Sequence, residues 1–506
     1  MANGYEQVFV SFHVPETPNS ARFGQNLPVF RRIMRADFRT KLVLVMVAAL
    51  AWRVGYVLVT KRTSPPGFSD AFAYHYGANL LAEGKGFIDP VRYSFSGLRF
   101  PSAAHPPLYI TYLAAWSFVG FKSALWHRLA SCLLGVATVG LVGLLGRRLA
   151  GERTGLIAAV LAAAYPHLWL NDAALMSETA AAFAVVLAML TVERFREQPT
   201  MARTWQLGGA LALAVLGRAE LAILVPAIAL PLILRTRGLA LADRWKRIGA
   251  VAIACFVLIG PWVGYNLVRF EHPVLLSNGF GATLQGGSCA TTFYGTDIGY
   301  WAYCPGTNDV ARLPPPPAST LARWKRDPKS ATTRTEQRAY FRRYYAGAPD
   351  ESQNDVVARR DALKYIRANE GQLPLVVAAR IGRVWNVFRP WQNARLDGLV
   401  EGRGLAQARV ALGAFYLYAA GAIVGLVALR RRRHPIWPYL VLVGVVTFTV
   451  AIAFAVQRYR IPVDAVMPAL AAVGIDALLR RRSERSVATS ELASTTAPSS
   501  TGGSRR

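Results

Sequence analysis

The chain is 506 residues long, 53% of them hydrophobic and only 17% charged, where a soluble domain carries about 25% charged residues. With a mean hydropathy of +0.26, that composition excludes an ordinary water-soluble enzyme. Lys and Arg number 58 against 29 Asp and Glu, a formal balance of +29. In a soluble protein this would point to nucleic acid, but beside long apolar runs it is assigned to a membrane, and no nucleic-acid partner is expected.

Residues 1–40 are polar and are read as a disordered cytoplasmic N-terminus. No signal peptide is expected, because this polar stretch precedes any apolar core. A spanning helix needs about 20 mostly apolar residues. Ten segments qualify, at about 42–60, 124–146, 154–171, 173–192, 205–217, 219–234, 247–268, 406–429, 436–456 and 461–479. The expected fold is therefore all-α and polytopic, a bundle of about ten transmembrane helices. The fifth and sixth segments share Gly217-Arg218-Ala219-Glu220, which fits a tight hairpin or one broken helix.

Short cytoplasmic loops retain Lys and Arg. Under the ten-span count every basic cluster falls on one side: Arg31 to Lys41, Arg147 to Arg153, Arg194 and Arg196, Arg235 to Arg247, Arg430 to Arg433 and Arg480 to Arg482. The expected divisions are 1–40, a membrane module 41–268 with a first outer loop at 61–123, an extracytoplasmic segment 269–405, spans within 406–480, and a disordered tail 481–506. The 269–405 segment is too long to be a passive connection. It holds Cys289 and Cys304, whereas Cys132 and Cys255 lie in apolar spans, so an oxidising exterior would favour a Cys289–Cys304 disulfide. Pro314 to Pro317 reads as a stiff spacer. There is no repeat of fixed period, no Walker-type loop, and no ligand motif to support a divalent metal.

Candidate chemistry begins just after the first span, at Ser69-Asp70-Ala71-Phe72-Ala73-Tyr74. Ser69 can cap a helix that Gly84 and Gly86 end. Asp70 then lies in its first turn, with Tyr74 and Gly77 on the same face. Its carboxylate can serve as a general base, if partial burial raises its pKa, or can simply complement the helix dipole. Next comes His105-Pro106-Pro107, where two prolines set a helix start and His105 is a candidate for orienting a phosphate or acceptor. Tyr165-Pro166-His167, Asn171-Asp172 and Ser177-Glu178 follow at the junction of spans three and four. Glu178 is expected to share a cavity with Asp70, and Asp172 to face water at the turn. Arg218, near Glu220, and Arg458 with Arg460 lie on the outer side, where guanidinium forks match phosphate oxygens. An Arg218–Glu220 pair and snorkelling of Arg458 and Arg460 are the structural alternatives.

In this order, over about 40–480, the chain resembles the GT-C glycosyltransferases. It is most similar to the family 39-like enzymes that include protein O-mannosyltransferases and the lipid A aminoarabinose transferase. The carriers are Ser69 to Tyr74 with Gly84-Lys85-Gly86-Phe87, His105 to Tyr109, Tyr165-Pro166, Ser177-Glu178 and Arg458-Tyr459-Arg460. Pro261-Trp262 to Asn266, Pro273 to Asn278, Phe388-Arg389-Pro390 and Arg395-Leu396-Asp397 look like an actinobacterial branch. The resemblance implies a sugar carried on a polyprenyl phosphate, an inverting transfer outside the plasma membrane to a cell-envelope hydroxyl, and no required metal. It makes Asp70 the base and Glu178 the second acidic residue; Tyr74, His105, Arg218, Arg458 and Arg460 are the candidate substrate-binding residues. Protein O-mannosyltransferases usually carry Asp-Glu where this chain has Asp70-Ala71, which weakens the case for a protein acceptor. A transporter or lipid-sugar flippase is the competing class. It predicts twofold symmetry and interrupted helices at mid-membrane, whereas here the polar groups gather at the outer ends.

Overall fold

The computed structural model describes residues 36–67, 69–304 and 315–495, with side chains to 483. The N-terminal 1–35, most of the expected disordered terminus, and Pro314 lie outside the described residues. Among those described there is no strand, only an isolated bridge between Ile88 and Pro101. In chain order the helices are α1 (Phe38–Thr60), α2 (Asp70–Ala82), α3 (Pro90–Ser96), α4 (Pro107–Phe118), α5 (Ala124–Ala150), α6 (Glu152–Ala164), α7 (Pro166–Ala174), α8 (Glu178–Glu197) and α9 (Met201–Gly217). There follow α10 (Leu230–Leu234), α11 (Leu241–Leu267), α12 (Phe280–Gly286), α13 (Ala290–Phe293), α14 (Ala318–Arg326), α15 (Ala331–Tyr345), α16 (Glu351–Ala368) and α17 (Leu373–Val384). The chain closes with α18 (Pro390–Leu399), α19 (Leu405–Arg431), α20 (Trp437–Ile452) and α21 (Ile461–Thr495).

The protein is an all-α, polytopic membrane protein. Among the described residues, five helical stretches, α1, α5, α11, α19 and Gln457–Ser483, are long and apolar enough to cross a membrane, and Ala219–Leu234 and α20 are shorter apolar segments. Central and peripheral helices separate by burial. Most of α5 and of the first turns of α21 is buried, whereas α1, α11 and α19 leave most of their apolar side chains on the outside, as expected of helices facing lipid. Small residues set the closest approach. A Cβ on Gly425 would run into the Leu470 carbonyl and one on Gly474 into that of Gly421, so the Gly421-x-x-x-Gly425 face lets α19 and α21 meet backbone to backbone.

Where the helices break differs from the apolar pattern, and prolines and turns explain most of it. The segment expected as one span at 154–171 divides into α6 and α7 because Pro166 cannot continue the first helix and starts the second. Leu175, at φ 59°, then turns the chain into α8. Arg218 is extended between α9 and a 3-10 turn, Ala219–Ile223, which leads through a π-turn into α10 and packs back on α9. The ninth span ends at Ile452 rather than 456, and residues 453–456 lead without helix into a 3-10 turn, Gln457–Arg460. The last helix continues to Thr495, into the stretch expected to be disordered.

Two parts outside the main bundle sit on each other. Helices α2 to α4 come from the 61–123 loop and α12 to α18 from 269–405. They meet where the Phe95 and Phe341 rings pack at a tilt with centroids 5.0 Å apart and where Glu351 accepts the Ala103 N–H at 3.0 Å. The second part is tied by a Cys289–Cys304 disulfide with Cα atoms 5.8 Å apart, and Cys132 and Cys255 are free thiols.

Candidate active site

Ser69 occupies the N-cap of α2, although its side chain makes no capping bond, and Gly84 and Gly86, both at positive φ, follow the helix end. This places Asp70 in the first helical turn, with Tyr74 one turn on and buried. Pro106 and Pro107 start α4, which aims His105 back at α2. The Tyr74 hydroxyl lies 3.2 Å from His105 Nδ1, and His105 Nε2 lies 3.8 Å from Asp70 Oδ1. Burial pushes the Tyr74 phenol far up, so it remains a donor. Its hydrogen then goes to Nδ1, and the other imidazole nitrogen carries its hydrogen toward Asp70. Burial also lowers the His105 pKa, against the pull of Asp70, so the ring is neutral.

The other oxygen of Asp70 is taken by Arg458. The 3-10 turn before α21 swings this guanidinium onto Asp70 Oδ2, and Glu401 stands 3.7 Å from the same nitrogen. The pair is not sealed: 31% of the Asp70 side chain and 19% of Arg458 are exposed. Burial pushes the Asp70 carboxyl up, but the Arg458 guanidinium outweighs this and holds it well below the usual carboxylate range. That corrects the expectation of a raised pKa. A guanidinium in direct contact favours the ionised form more than partial burial disfavours it.

Glu178 begins α8 and is buried, with Oε1 accepting from Arg218 Nη1 at 2.7 Å and Oε2 lacking a protein partner. Arg218 Nε also reaches Glu220 at 2.5 Å, and its guanidinium lies over the Tyr459 ring, 4.9 Å from the centroid. The Arg218–Glu220 pair thus exists together with a second bond to Glu178. Arg458 is within electrostatic reach of both Asp70 and Glu178, and Tyr74 and His105 of Asp70, Glu178 and Arg218, so Asp70, Tyr74, His105, Glu178, Arg218 and Arg458 share one cluster.

Arg460 does not join it. It is fully buried, bonded to Asp464 at 3.0 Å, to the Val384 carbonyl at 2.8 Å and to His167 at 3.2 Å, and stacked 3.7 Å from the Phe415 centroid. Two steps along a 3-10 turn point its side chain about 240° away from that of Arg458, into these buried contacts instead of the cluster. Asp172 is the other correction. It is 1% exposed and paired with Arg53 of α1, with Thr179 donating to its second oxygen at 2.8 Å, since the break at Pro166 turns α7 inward rather than toward water.

Two further residues belong to the floor of the cluster and were not singled out from the sequence. Glu401 faces Arg458, and buried Arg403 bridges Asp397 at 2.5 Å and Asn171 at 2.7 Å. Their signal was Glu401-Gly402-Arg403-Gly404, alternating charge and glycine, with both glycines at positive φ. Among the described residues no three His, Cys, Asp or Glu side chains gather into a metal-holding group.

Residues 104–265, roughly a third of the chain, match the family described as "Dolichyl-phosphate-mannose-protein mannosyltransferase". That match bears out the GT-C, family 39-like resemblance. Among solved structures, the oligosaccharyltransferase AglB from Archaeoglobus fulgidus, in complex with an inhibitory peptide and a dolichol-phosphate, is 17% identical with a TM-score of 0.49, over 94% of this chain and 53% of that one. ArnT from Cupriavidus metallidurans, bound to undecaprenyl phosphate, is 15% identical with a TM-score of 0.36, over 89% of this chain and 78% of that one. The chain thus spans about half the length of the archaeal enzyme. No curated protein sequence matches it significantly.

Proposed function

We propose that this glycosyltransferase-like chain moves a sugar from a polyprenyl-phosphate donor to a hydroxyl acceptor on the extracytoplasmic side of the plasma membrane. The observation that carries the reading is the Asp70–Arg458 contact, which joins a carboxylate base to a phosphate-matching guanidinium in a partly open site. The matched family's description names a dolichyl-phosphate-linked mannose, which supports a lipid-phosphate donor.

In the resting pair Asp70 is a weak base, because Arg458 lowers its pKa. A donor phosphate that takes up the Arg458 fork neutralises that charge and frees Asp70 to accept a proton more strongly. Asp70 then removes the acceptor hydroxyl proton as that oxygen bonds to the anomeric carbon. The bond from carbon to the phosphate oxygen breaks, and the lipid phosphate leaves with the electron pair, its charge held by Arg458. One displacement inverts the anomeric centre. Arg218, already committed to Glu178 and Glu220, stiffens the floor under Arg458.

The test is transfer of tritiated mannose from synthetic polyprenyl-phosphate mannose to acceptors in membranes that hold the protein, compared with Asp70→Asn. Loss of about 10²- to 10⁴-fold is the scale of one general base. A folded Asp70→Asn protein with undiminished transfer would overturn the assignment.

A further inference from the structure

Asp70 has two oxygens and they face different neighbours, Oδ2 toward Arg458 and Oδ1 toward His105. Behind His105 lies a cavity of about 180 Å³. One wall is α2, where Ala73 and Gly77 continue the Asp70 face at i+3 and i+7. Glu351, at the start of α16, also lines it, and Phe87 and Ile110 add apolar surface.

We infer that this cavity is the acceptor subsite and that it takes a single sugar ring, a compact polyol whose reactive hydroxyl reaches Asp70 past His105. This rests on the proposed transfer reaction and assigns its second substrate. Three observations carry it. First, the cavity is below the roughly 300 Å³ at which pockets for drug-sized ligands begin, so it suits a ring and not a folded partner. Second, its lining combines an aromatic side chain, Phe87, held edge-on by Trp262 at 4.7 Å, with the hydrogen-bonding groups of Asp89, Ser102, His105 and Glu351. A sugar ring presents the matching surface, apolar C–H faces with hydroxyls around the rim. Third, the Glu351 wall is fixed before any ligand arrives. Glu351 accepts the Ala103 N–H at 3.0 Å, and the neighbouring Asp350 and Ser352 accept the Glu271 and His272 N–H groups at 2.9 and 3.0 Å. The phosphate-matching guanidinium meets the other oxygen of Asp70, so an anomeric carbon held beside the carboxylate would have the acceptor hydroxyl on one side and the leaving phosphate on the other, as an in-line displacement requires.

Gly77 offers a clean probe. A Cβ there meets no atom within 4 Å, and a helical glycine accepts a side chain without backbone strain, so Gly77→Leu fills the cavity while sparing Asp70, His105 and Arg458. The experiment is saturation-transfer-difference NMR on the full chain in lipid nanodiscs, with the methyl glycosides of glucose, galactose, mannose and arabinose as probes. At least one glycoside is expected to give a signal in the wild type that falls at least fivefold in both Gly77→Leu and Glu351→Gln, each eluting as a monodisperse species. The signal is also expected to survive saturating polyprenyl-phosphate mannose. No signal in the wild type, or a signal within twofold of wild type in either variant, overturns the subsite. Displacement by polyprenyl-phosphate mannose gives the cavity to the donor's own sugar and overturns the acceptor assignment. Failure of the transfer reaction itself reads out separately, as equal label transfer by wild type and Asp70→Asn, and leaves the binding result to stand or fall alone.

Discussion

Arg458 and Asp70 are 388 residues apart in sequence and form an ion pair between the turn before the last helix and the helix after the first one. The contact fixes the charge state of the candidate base. Removing the guanidinium leaves burial as the leading influence on the carboxyl, and burial raises a carboxylate pKa. In Arg458→Gln the acid limb of kcat/KM, which reports the free enzyme, is expected to move up by about 1–3 pH units, the usual effect of a contacting opposite charge. The sign follows from protonation: activity falls as pH drops through the Asp70 pKa, and the variant meets that point at a higher pH. A pH–rate profile with an unmoved acid limb would show that Arg458 does not control Asp70.

How much of this could be read in the sequence depends on the range of the forces involved. The apolar runs mark where the bundle's helices lie but not where they break, because apolar length is a local property whereas the breaks at Pro166 and Arg218 follow from backbone geometry. Asp70 in a first turn and Pro107 at a helix start were legible for the same reason, since caps and prolines act within a few residues. Arg458 and Arg460 could not be told apart, because a four-residue turn has no periodicity to reveal which side chain points inward. Asp172 was misplaced because its partner, Arg53, lies 119 residues away. Glu401 and Arg403 acquire their meaning only from packing against Arg458 and Asn171, and no local pattern reports that.

Glu178 and Arg218 are both buried, so their shared bond separates structure from chemistry. Removing one partner of a buried pair leaves an uncompensated charge and costs about 3–5 kcal/mol. Glu178→Ala and Arg218→Ala are each expected to lower the melting temperature strongly, and the double variant by less than the sum. A thermal double-mutant cycle measures the coupling. Additive losses would mean that the two groups act independently and that Glu178 has another role.

The Cys289–Cys304 bridge closes a short loop, with a sequence separation of 15, for which loop-closure entropy gives about 3 kcal/mol. Cys289→Ser with Cys304→Ser should therefore melt earlier, and reduction of the wild type should reproduce the change. Neither Cys132, which is buried, nor Cys255 supplies a substitute. Peptide mass spectrometry without reduction should recover the two cysteines joined; recovery of two free thiols would refute the bridge.

Glu351 makes stability depend on pH in a direction opposite to that of a paired carboxylate. Burial pushes its carboxyl up to about 7, helped by Asp89 and opposed by bonds from Ser102 and the Ala103 N–H and by Arg92. Below the ordinary glutamate value of 4.5 both folded and unfolded chains hold the proton, and the group adds no pH dependence. Between that value and about 7 the folded chain keeps a proton that the unfolded chain has released, so stability falls as pH rises and levels off above 7. Glu351→Gln keeps an acceptor for Ala103 and removes the charge. The variant should melt close to wild type at pH 4.5 and above it at pH 8 (both chosen to bracket the window), with the gap opening between them. Melting curves in nanodiscs across that range decide it, and a gap that is constant with pH would mean that Glu351 stays ionised in the folded protein.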